Sequence, residues 1–203
     1  MPTQRLAPVL FALSLLAAPV AAQEKPTAPV GPPLAPFAAM RVALMPAQAF
    51  KADSAGGWSK DVNWATMRLA LDSAITAELL DRGLGRKWAY AADVARTAKR
   101  NPTYASDPYA LGVGRLRGVE LKGGTELPAL LADNLRTLTA LGDTRYALIP
   151  VELAARADGV VLRLVLADTR TRSLVWAGDL LSPAGDAMLA GLATRVANLI
   201  LEP

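Results

Sequence analysis

The stretch YALIPVELAARADGVVLRLVLADTRTRSLVWAGDL, residues 146–180, decides the fold. It contains three runs rich in valine, leucine and other apolar residues, at 146–156, 160–167 and 173–180. Short polar segments separate the runs. Runs of this length and composition, bounded by turn residues, are typical of consecutive β-strands. We therefore predict an antiparallel meander in the C-terminal half of the chain.

The first turn of the meander predicts a register. Asp158-Gly159 is a favoured pair for a two-residue type I′ turn, which places Ala157 opposite Val160. Side chains alternate between the two faces of a strand, so this register puts two apolar pairs on one face: Leu153 with Leu164, and Val151 with Leu166. The other face receives three charged residues: Glu152, Arg156 and Arg163. The leucine face is therefore the predicted core.

The residues after the meander predict a helix that packs on the leucine face. Ser182 and Pro183 are residue types favoured at the N-cap and the first position of a helix. Beyond them, four apolar residues form one helical stripe: Met188, Leu192, Val196 and Leu199.

The segment before the meander predicts a parallel βαβ unit. Residues 41–45 form a short apolar run typical of a buried strand. A helix follows, N-capped by Asp61 or Asn63 and ended near Gly83. Its apolar residues recur at spacings of three and four: Trp64, Met67, Leu71, Ile75 and Leu79. A second short strand at 88–90 completes the crossover.

Two more helices are predicted between this unit and the meander, at 92–100 and 127–141. Residues 103–124, rich in glycine, are compatible with a loop or with a broken helix. The predicted fold class is therefore α/β, as one domain over residues 40–203. Its mixed sheet starts with the βαβ unit and ends with the antiparallel meander, and the helices pack on the sheet.

The N-terminus predicts export. Arg5 precedes an apolar run from Leu6 to Ala18, and small residues follow at 20–22. This is the pattern of a cleaved signal peptide over residues 1–22. Residues 23–39 contain five prolines and predict a disordered linker. The mature protein is then periplasmic or extracellular, without stable membrane insertion, and without a lipid anchor because the sequence contains no cysteine.

Composition excludes several chemistries. The chain has no cysteine and no histidine, so disulfides, thiolate nucleophiles, imidazole bases and zinc sites with nitrogen or sulfur ligands cannot form. The formal charge of +4 falls to +3 when Arg5 leaves with the signal peptide. Such a small excess does not predict nucleic-acid binding. No catalytic, cofactor-binding or metal-binding residue is predicted.

The segment LRLVLADTRTRSLVWAG, residues 162–178, resembles a strand, turn and strand of bacterial envelope proteins. This group includes the TolB amino-terminal domain, the curli secretion protein CsgG and the penicillin-binding-protein activator LpoB. The strand at 41–46 and the helix containing residues 71–80 are similar to their opening βα unit. The resemblance implies a non-enzymatic accessory protein that binds a partner protein of the envelope.

One residue of the second turn departs from that group. Where its members often have glycine in a left-handed position, this chain has Arg172, for which that conformation is unfavourable. A three-residue loop would place Trp176 opposite Leu166 in the core. A two-residue loop centred on Arg170-Thr171 would place it opposite Val165 on the other face. We predict the core position for Trp176.

Five residues form the candidate interaction surface: Tyr104, Asp107, Tyr109, Arg115 and Arg117. Aromatic rings and guanidinium groups in a glycine-rich region suit a protein interface. The alternative is a hydrophobic clamp that holds the long connection against the domain.

Other residues suggest weaker alternatives. Gly112, Gly114 and Gly118 lack the spacing of a dinucleotide-binding loop. An exported hydrolase would need Asp168 and Asp179, or Ser59 and Lys60, to converge in a deep pocket. A small-ligand carrier would instead show an apolar cavity.

Overall fold

A computed structural model describes residues 31–52 and 63–202 of the chain. The predicted signal peptide at 1–22 lies outside this range, as do residues 23–30 of the predicted linker and the pair Ser59 and Lys60. Within the two described ranges, no helix combines the length and the apolar composition that a membrane span requires.

The described residues contain six strands in one mixed sheet: β1 (Val42–Leu44), β2 (Phe50–Ala52), β3 (Trp88–Ala89), β4 (Tyr146–Arg156), β5 (Gly159–Asp168) and β6 (Ser173–Pro183). Their order is β3-β1-β4-β5-β6, and β2 pairs with the second half of β4. β1 runs parallel to β3 and β4, whereas β4, β5 and β6 are antiparallel neighbours. The predicted α/β fold with a mixed sheet is confirmed.

α-Helices cover both faces of the sheet: α1 (Trp64–Asp81), α2 (Ala91–Arg100), α3 (Ala129–Leu141) and α4 (Met188–Asn198). The N-cap of α1 is Asn63, whose side-chain oxygen accepts the N–H of Thr66 at 3.3 Å. Buried residues of α1 and α4 pack on one face of the sheet. Those of α2 and α3 pack on the other.

The sheet therefore has a core on each face, where the sequence predicted only one. Leu148 and Leu164 point into the core under α1 and α4. Ile149 and Val165 point into the core under α2 and α3. Strands buried on both faces carry consecutive apolar residues, and β4 and β5 do so over most of their length. On the second face, charged residues of β4 and β5 occur only toward the turn that joins these strands, where Glu152 is paired with Arg163.

The predicted register of the first hairpin is wrong by two residues. Arg156 pairs with Gly159, so the turn consists of Ala157 and Asp158, and Leu153 pairs with Leu162. Gly159 lies in β5, where a Cβ atom would overlap the backbone oxygen of Ser182 in β6. The glycine is thus needed for a close approach of two backbones, and not for the turn.

A bulge in β4 changes the pairing again. The register shifts between Pro150 and Glu152, which places Val151 in the core under α2 and α3 and not on the predicted leucine face. Leu148 then pairs with Leu166.

The second turn has four residues, 169–172, and Arg172 adopts the left-handed conformation with φ of 56°. A shift between Leu166 and Ala167 restores the register, so that Trp176 pairs with Leu166 as predicted. The Trp176 ring packs against the core under α1 and α4 and lies over Gly178, where a Cβ atom would collide with it.

The start of α4 differs from the prediction. Ser182 and Pro183 are the last residues of β6, because β6 extends until Pro183 meets Gly159 at the start of β5. The helix begins at Met188. Its predicted stripe faces the core, with Leu192 and Val196 fully buried.

The ordered domain begins before residue 40, within the predicted linker. Leu34 is 1% exposed and belongs to the core under α1 and α4. Its N–H donates to the backbone oxygen of Leu199 at 2.7 Å. The ring of Phe37 meets that of Tyr146 edge to face at 5.0 Å. Apolar side chains between the prolines thus anchor residues 34–37 to the domain.

Residues 103–124 form an irregular connection with one 3-10 turn, Val113–Leu116. Leu111, Val113 and Leu116 are buried against the second face of the sheet. The connection therefore lies across the sheet beside α2 and α3.

Candidate interaction surface

The five predicted surface residues separate into two groups. Asp107 and Tyr109 lie in the turns that follow α2, and the Tyr104 side chain is 75% exposed there. Arg117 lies further along the connection and forms an ion pair with Glu152 of β4. Arg115 is exposed on the 3-10 turn between them. The five residues are therefore divided between the turns after α2 and the later part of the connection, and their joint role in an interface stays a prediction.

Asp107 and Tyr109 line an open groove of about 590 Å³, here called the Tyr109 groove. Its walls are the outer side of α2 and the connection that follows: Ala95, Arg96, Ala98, Lys99, Pro102, Ala105, Ser106, Asp107, Pro108 and Tyr109. Half of these ten residues are alanine or proline. The groove is thus largely apolar, with charged groups at its rim.

Tyr109 is held by one contact to its ring and one to its backbone. The guanidinium carbon of Arg68 on α1 lies 4.2 Å from the ring centroid, a cation–π contact. The Tyr109 N–H donates to the Asp107 carboxylate at 2.9 Å, which fixes the turn. Tyr109 therefore presents a positioned aromatic ring between the groove and α1.

Gln48 holds the same connection by hydrogen bonds. Its Nε2 donates to the backbone oxygen of Pro108 at 2.9 Å, and its Oε1 accepts the N–H of Leu111 at 3.0 Å. One glutamine in a loop carries no pattern from which this role could have been predicted. The hydrogen bonds of Gln48 and the buried leucines, rather than Tyr104, hold the connection down.

A smaller cavity of about 300 Å³ lies on the α1 side of Tyr109 and reaches Asp72. Burial raises the pKa of Asp72 to about 6. A hydrogen bond from the Ala47 N–H and the nearby charge of Arg68 lower the pKa, but by less than burial raises it. Exposed Leu69 and Leu80 form part of its rim. The apolar surface therefore continues past Tyr109 onto α1.

Asp168 and Asp179, the carboxylates considered for acid–base catalysis, do not converge. Asp168 ends β5 and pairs with Arg145, whereas Asp179 lies six residues from the start of β6 and pairs with Arg163. Six residues of strand correspond to roughly 20 Å. Hydrogen bonds from Arg163 lower the pKa of Asp179.

A polar cavity of about 460 Å³ brings Asp179 near a different carboxylate, Glu152. Each has an arginine partner: Arg117 for Glu152, and Arg163 for Asp179 at 2.9 Å. Within the described ranges, no three acidic side chains gather as a metal site would require.

No protein-family model matches the chain, and no curated protein matches it. Several solved structures do. The LpoB C-terminal domain from Salmonella enterica is 10% identical, with a TM-score of 0.43 over 71% of this chain and 83% of that one. A lipoprotein from Neisseria meningitidis is 16% identical, with a TM-score of 0.38 over 78% of this chain and 96% of that one.

TolB from Acinetobacter baumannii is also similar, at 11% identity and a TM-score of 0.36. The match covers 79% of this chain and 27% of TolB. The resemblance to LpoB and TolB that the sequence indicated is therefore confirmed.

Proposed function

We propose that this chain is an exported, non-enzymatic accessory protein of the bacterial envelope that binds another protein through the Tyr109 groove. The groove is the observation that carries the proposal. It offers about 590 Å³ of mostly apolar space beside Tyr109, whose ring lies against Arg68 and whose backbone N–H is held by Asp107. Contacts made by a prepositioned aromatic cost little ordering entropy on binding, which is why such residues dominate many interfaces. The predicted signal peptide supports the location.

The rim of the groove indicates the chemistry of the partner. Arg96 is engaged by Asp93 at 3.0 Å, whereas Lys99 has no ion pair among the described residues. A partner segment with an apolar side chain for the groove and a carboxylate for Lys99 would complement this surface.

An exported hydrolase is the second candidate, because Glu152 and Asp179 line one cavity. A general acid must hold a proton near neutral pH, which requires a raised pKa. Arg163 has the opposite effect on Asp179. A small-ligand carrier would need a more enclosed site than the open Tyr109 groove. The binding role is therefore the better supported.

Site-specific photo-crosslinking in the exporting bacterium tests the proposal. A benzophenone amino acid replaces Ala95, which lines the groove, or Ala190, which is exposed on α4 under the other face of the sheet. We expect a discrete crosslinked protein from position 95, lost when Lys99→Glu is added, and none from position 190. No crosslink at 95, or an equal yield at 190, would contradict the proposal.

A second comparison separates binding from catalysis. Glu152→Gln with Asp179→Asn removes both carboxylates of the polar cavity and leaves the Tyr109 groove intact. We expect the crosslink yield from position 95 and the export of the protein to stay unchanged. If the double variant instead produced the same growth defect as deletion of the gene while crosslinking persisted, the protein would act as a hydrolase, and our proposal would be wrong.

The lack of a lipid anchor stays a prediction. One of the similar structures is that of a lipoprotein, whereas this sequence contains no cysteine to carry a lipid. Mass determination of the exported protein would decide between the two, because an attached acyl chain adds a discrete mass.

A further inference from the structure

A second groove, of about 420 Å³, lies where the end of α3 meets the start of β4 and the β5–β6 turn. Four arginines line it: Arg136, Arg145, Arg170 and Arg172. Three threonines and one alanine complete the lining, and no carboxylate does. We call it the arginine groove.

Two of the four charges are uncompensated. Arg145 pairs with Asp168 at 2.5 Å, and Arg172 pairs with Asp133 at 2.9 Å. Arg136 and Arg170 have no ion pair within residues 31–52 and 63–202. The neighbouring Asp143 forms an ion pair with Arg41, so it does not neutralise an arginine of the groove. Four guanidinium groups and two carboxylates therefore give the groove a net excess of positive charge.

The arginines are positioned by local structure. The Asp168 carboxylate accepts from Arg145 Nε at 3.1 Å and from the backbone N–H of Arg170 at 2.9 Å. One carboxylate therefore holds the arginine that precedes β4 against the turn that carries two others. Arg172 takes the left-handed conformation, which favours glycine, so an arginine stands where its backbone is under strain. Strained positions of this kind cluster at functional sites.

The floor of the groove is buried and ordered. Thr139 Oγ1 and Thr169 Oγ1 lie 3.1 Å apart, and Thr169 Oγ1 donates to the backbone oxygen of Arg145 at 2.8 Å. The backbone carbonyl groups at the C-terminus of α3 carry partial negative charge, which disfavours an anion nearby. Its Thr139 carbonyl, however, is already satisfied by the Thr144 N–H at 2.9 Å. The arginines thus dominate the charge of the site.

We propose that the arginine groove binds a phosphate-type oxyanion, through the guanidinium groups of Arg136 and Arg170 supported by Arg145 and Arg172. The planar guanidinium fork matches the geometry of phosphate oxygens and can bind two of them at once. The same chemistry is offered by a free phosphorylated molecule and by the headgroup of an anionic phospholipid. The proposal concerns a surface separate from the Tyr109 groove and does not depend on it.

Titration of the full-length exported protein with pyrophosphate provides the first test. Arg136→Gln with Arg170→Gln removes the two unpaired guanidinium groups, both exposed. The double variant should bind pyrophosphate about tenfold or more weakly, since each charge-assisted contact contributes on this scale. Arg115→Gln, an exposed arginine elsewhere, should change binding less than about twofold.

A second pair of variants separates fork geometry from charge. Arg136→Lys with Arg170→Lys keeps the charge and removes the bidentate geometry, so we expect an intermediate affinity. Circular dichroism and the melting temperature should be unchanged in both double variants. Equal losses in the double glutamine variant and in Arg115→Gln would overturn the proposal, because binding would then reflect only the overall charge.

Sedimentation with vesicles distinguishes the two sources of phosphate. Vesicles of phosphatidylcholine with and without phosphatidylglycerol serve as probes. Cosedimentation that needs phosphatidylglycerol and is lost in the double glutamine variant assigns the groove to a lipid headgroup. Pyrophosphate binding without cosedimentation assigns it to a soluble phosphate. Failure of the double variant to weaken either interaction, or the absence of both, contradicts the site.

Discussion

Asp72 and Asp168 are both buried carboxyl groups, but the fold raises the pKa of Asp72 and lowers the pKa of Asp168. Asp72 lies behind Tyr109 and is 7% exposed, and Asp168 lies behind the arginine groove and is 5% exposed. Burial raises the pKa of Asp72 to about 6, because one N–H donor and a nearby Arg68 offset little of the lost hydration. Burial acts on Asp168 too, but hydrogen bonds from Arg145, Arg170 and Thr171 outweigh it and lower its pKa. The number of donors, rather than burial, decides the charge.

The largest expected change in the free energy of unfolding comes from replacing Asp72, which removes the carboxyl group with the raised pKa. Its pKa is about 6 in the fold against an ordinary 3.8. Stability from its protonated form is therefore fully present below pH 3.8 and is lost as pH rises through 6. Asp72→Asn keeps an oxygen for the Ala47 N–H and cannot ionise. Urea unfolding should show a gain of up to about 3 kcal/mol at pH 8 and almost none at pH 3.5.

Asp81→Asn is the matched control, since Asp81 is an exposed carboxyl on the same helix. Its unfolding curves should follow the wild type at both pH values. A destabilised Asp72→Asn protein at pH 8 would show that the carboxylate is needed in its charged form.

The next effect has the opposite sign and concerns Asp168. Its lowered pKa means that the charged form stabilises the fold above the ordinary pKa, and that this stability is lost as pH falls through the folded value. Asp168→Asn weakens the pairing with Arg145, which is half exposed, so the loss of stability at pH 7 should be smaller than the gain expected at Asp72. Unfolding at decreasing pH should show the difference from wild type shrinking. A difference that stays constant would mean that shape, not charge, matters here.

A smaller effect is expected at Gln48, which holds the Tyr109 groove without any charge. Gln48→Ala leaves the N–H of fully buried Leu111 without its acceptor. The cost should be about 1 to 2 kcal/mol. Amide hydrogen exchange should quicken at residues 109–111 and not at the β5–β6 turn. If exchange quickened equally at both places, the two grooves would unfold together and not independently.

The smallest effect is expected at Arg68, which faces both Tyr109 and Asp72. Arg68→Gln removes a partly buried cation–π contact, worth about 0.5 to 1 kcal/mol or somewhat more. It also removes a charge that lowers the pKa of Asp72, so that pKa should rise further. NMR titration of the Asp72 carboxyl carbon measures this shift. A fall in the pKa would contradict the assigned role of Arg68.

The sequence predicted those parts of the fold that depend on local periodicity. The apolar spacing of α1 and the three β-rich runs identified their elements, because each pattern spans at least two turns of helix or several residues of strand. The turn of the first hairpin was not predicted, because Gly159 is equally suited to a tight turn and to close contact with β6. A local pattern cannot distinguish these two uses of glycine.

The candidate sites were predicted less completely, for a related reason. Asp107 and Tyr109 are close in sequence and line the same groove. The arginine groove combines residues of α3, of the segment before β4 and of the β5–β6 turn. Arg136 and Arg170 come together only because α3 packs beside that turn. The core on the second face of the sheet was not predicted either, because the charged residues Glu152 and Arg163 suggested that this face is solvated.

Leu34 bears on where a shortened form of the protein could begin. A fragment starting at Met40, the boundary that the prolines suggest, would lose a side chain that fills space between α4 and the sheet. The resulting hollow would leave the apolar surfaces around Leu199 and Tyr146 open to water. Such a fragment should self-associate, whereas one that retains residues from Gly31 onward should stay monodisperse under the same conditions.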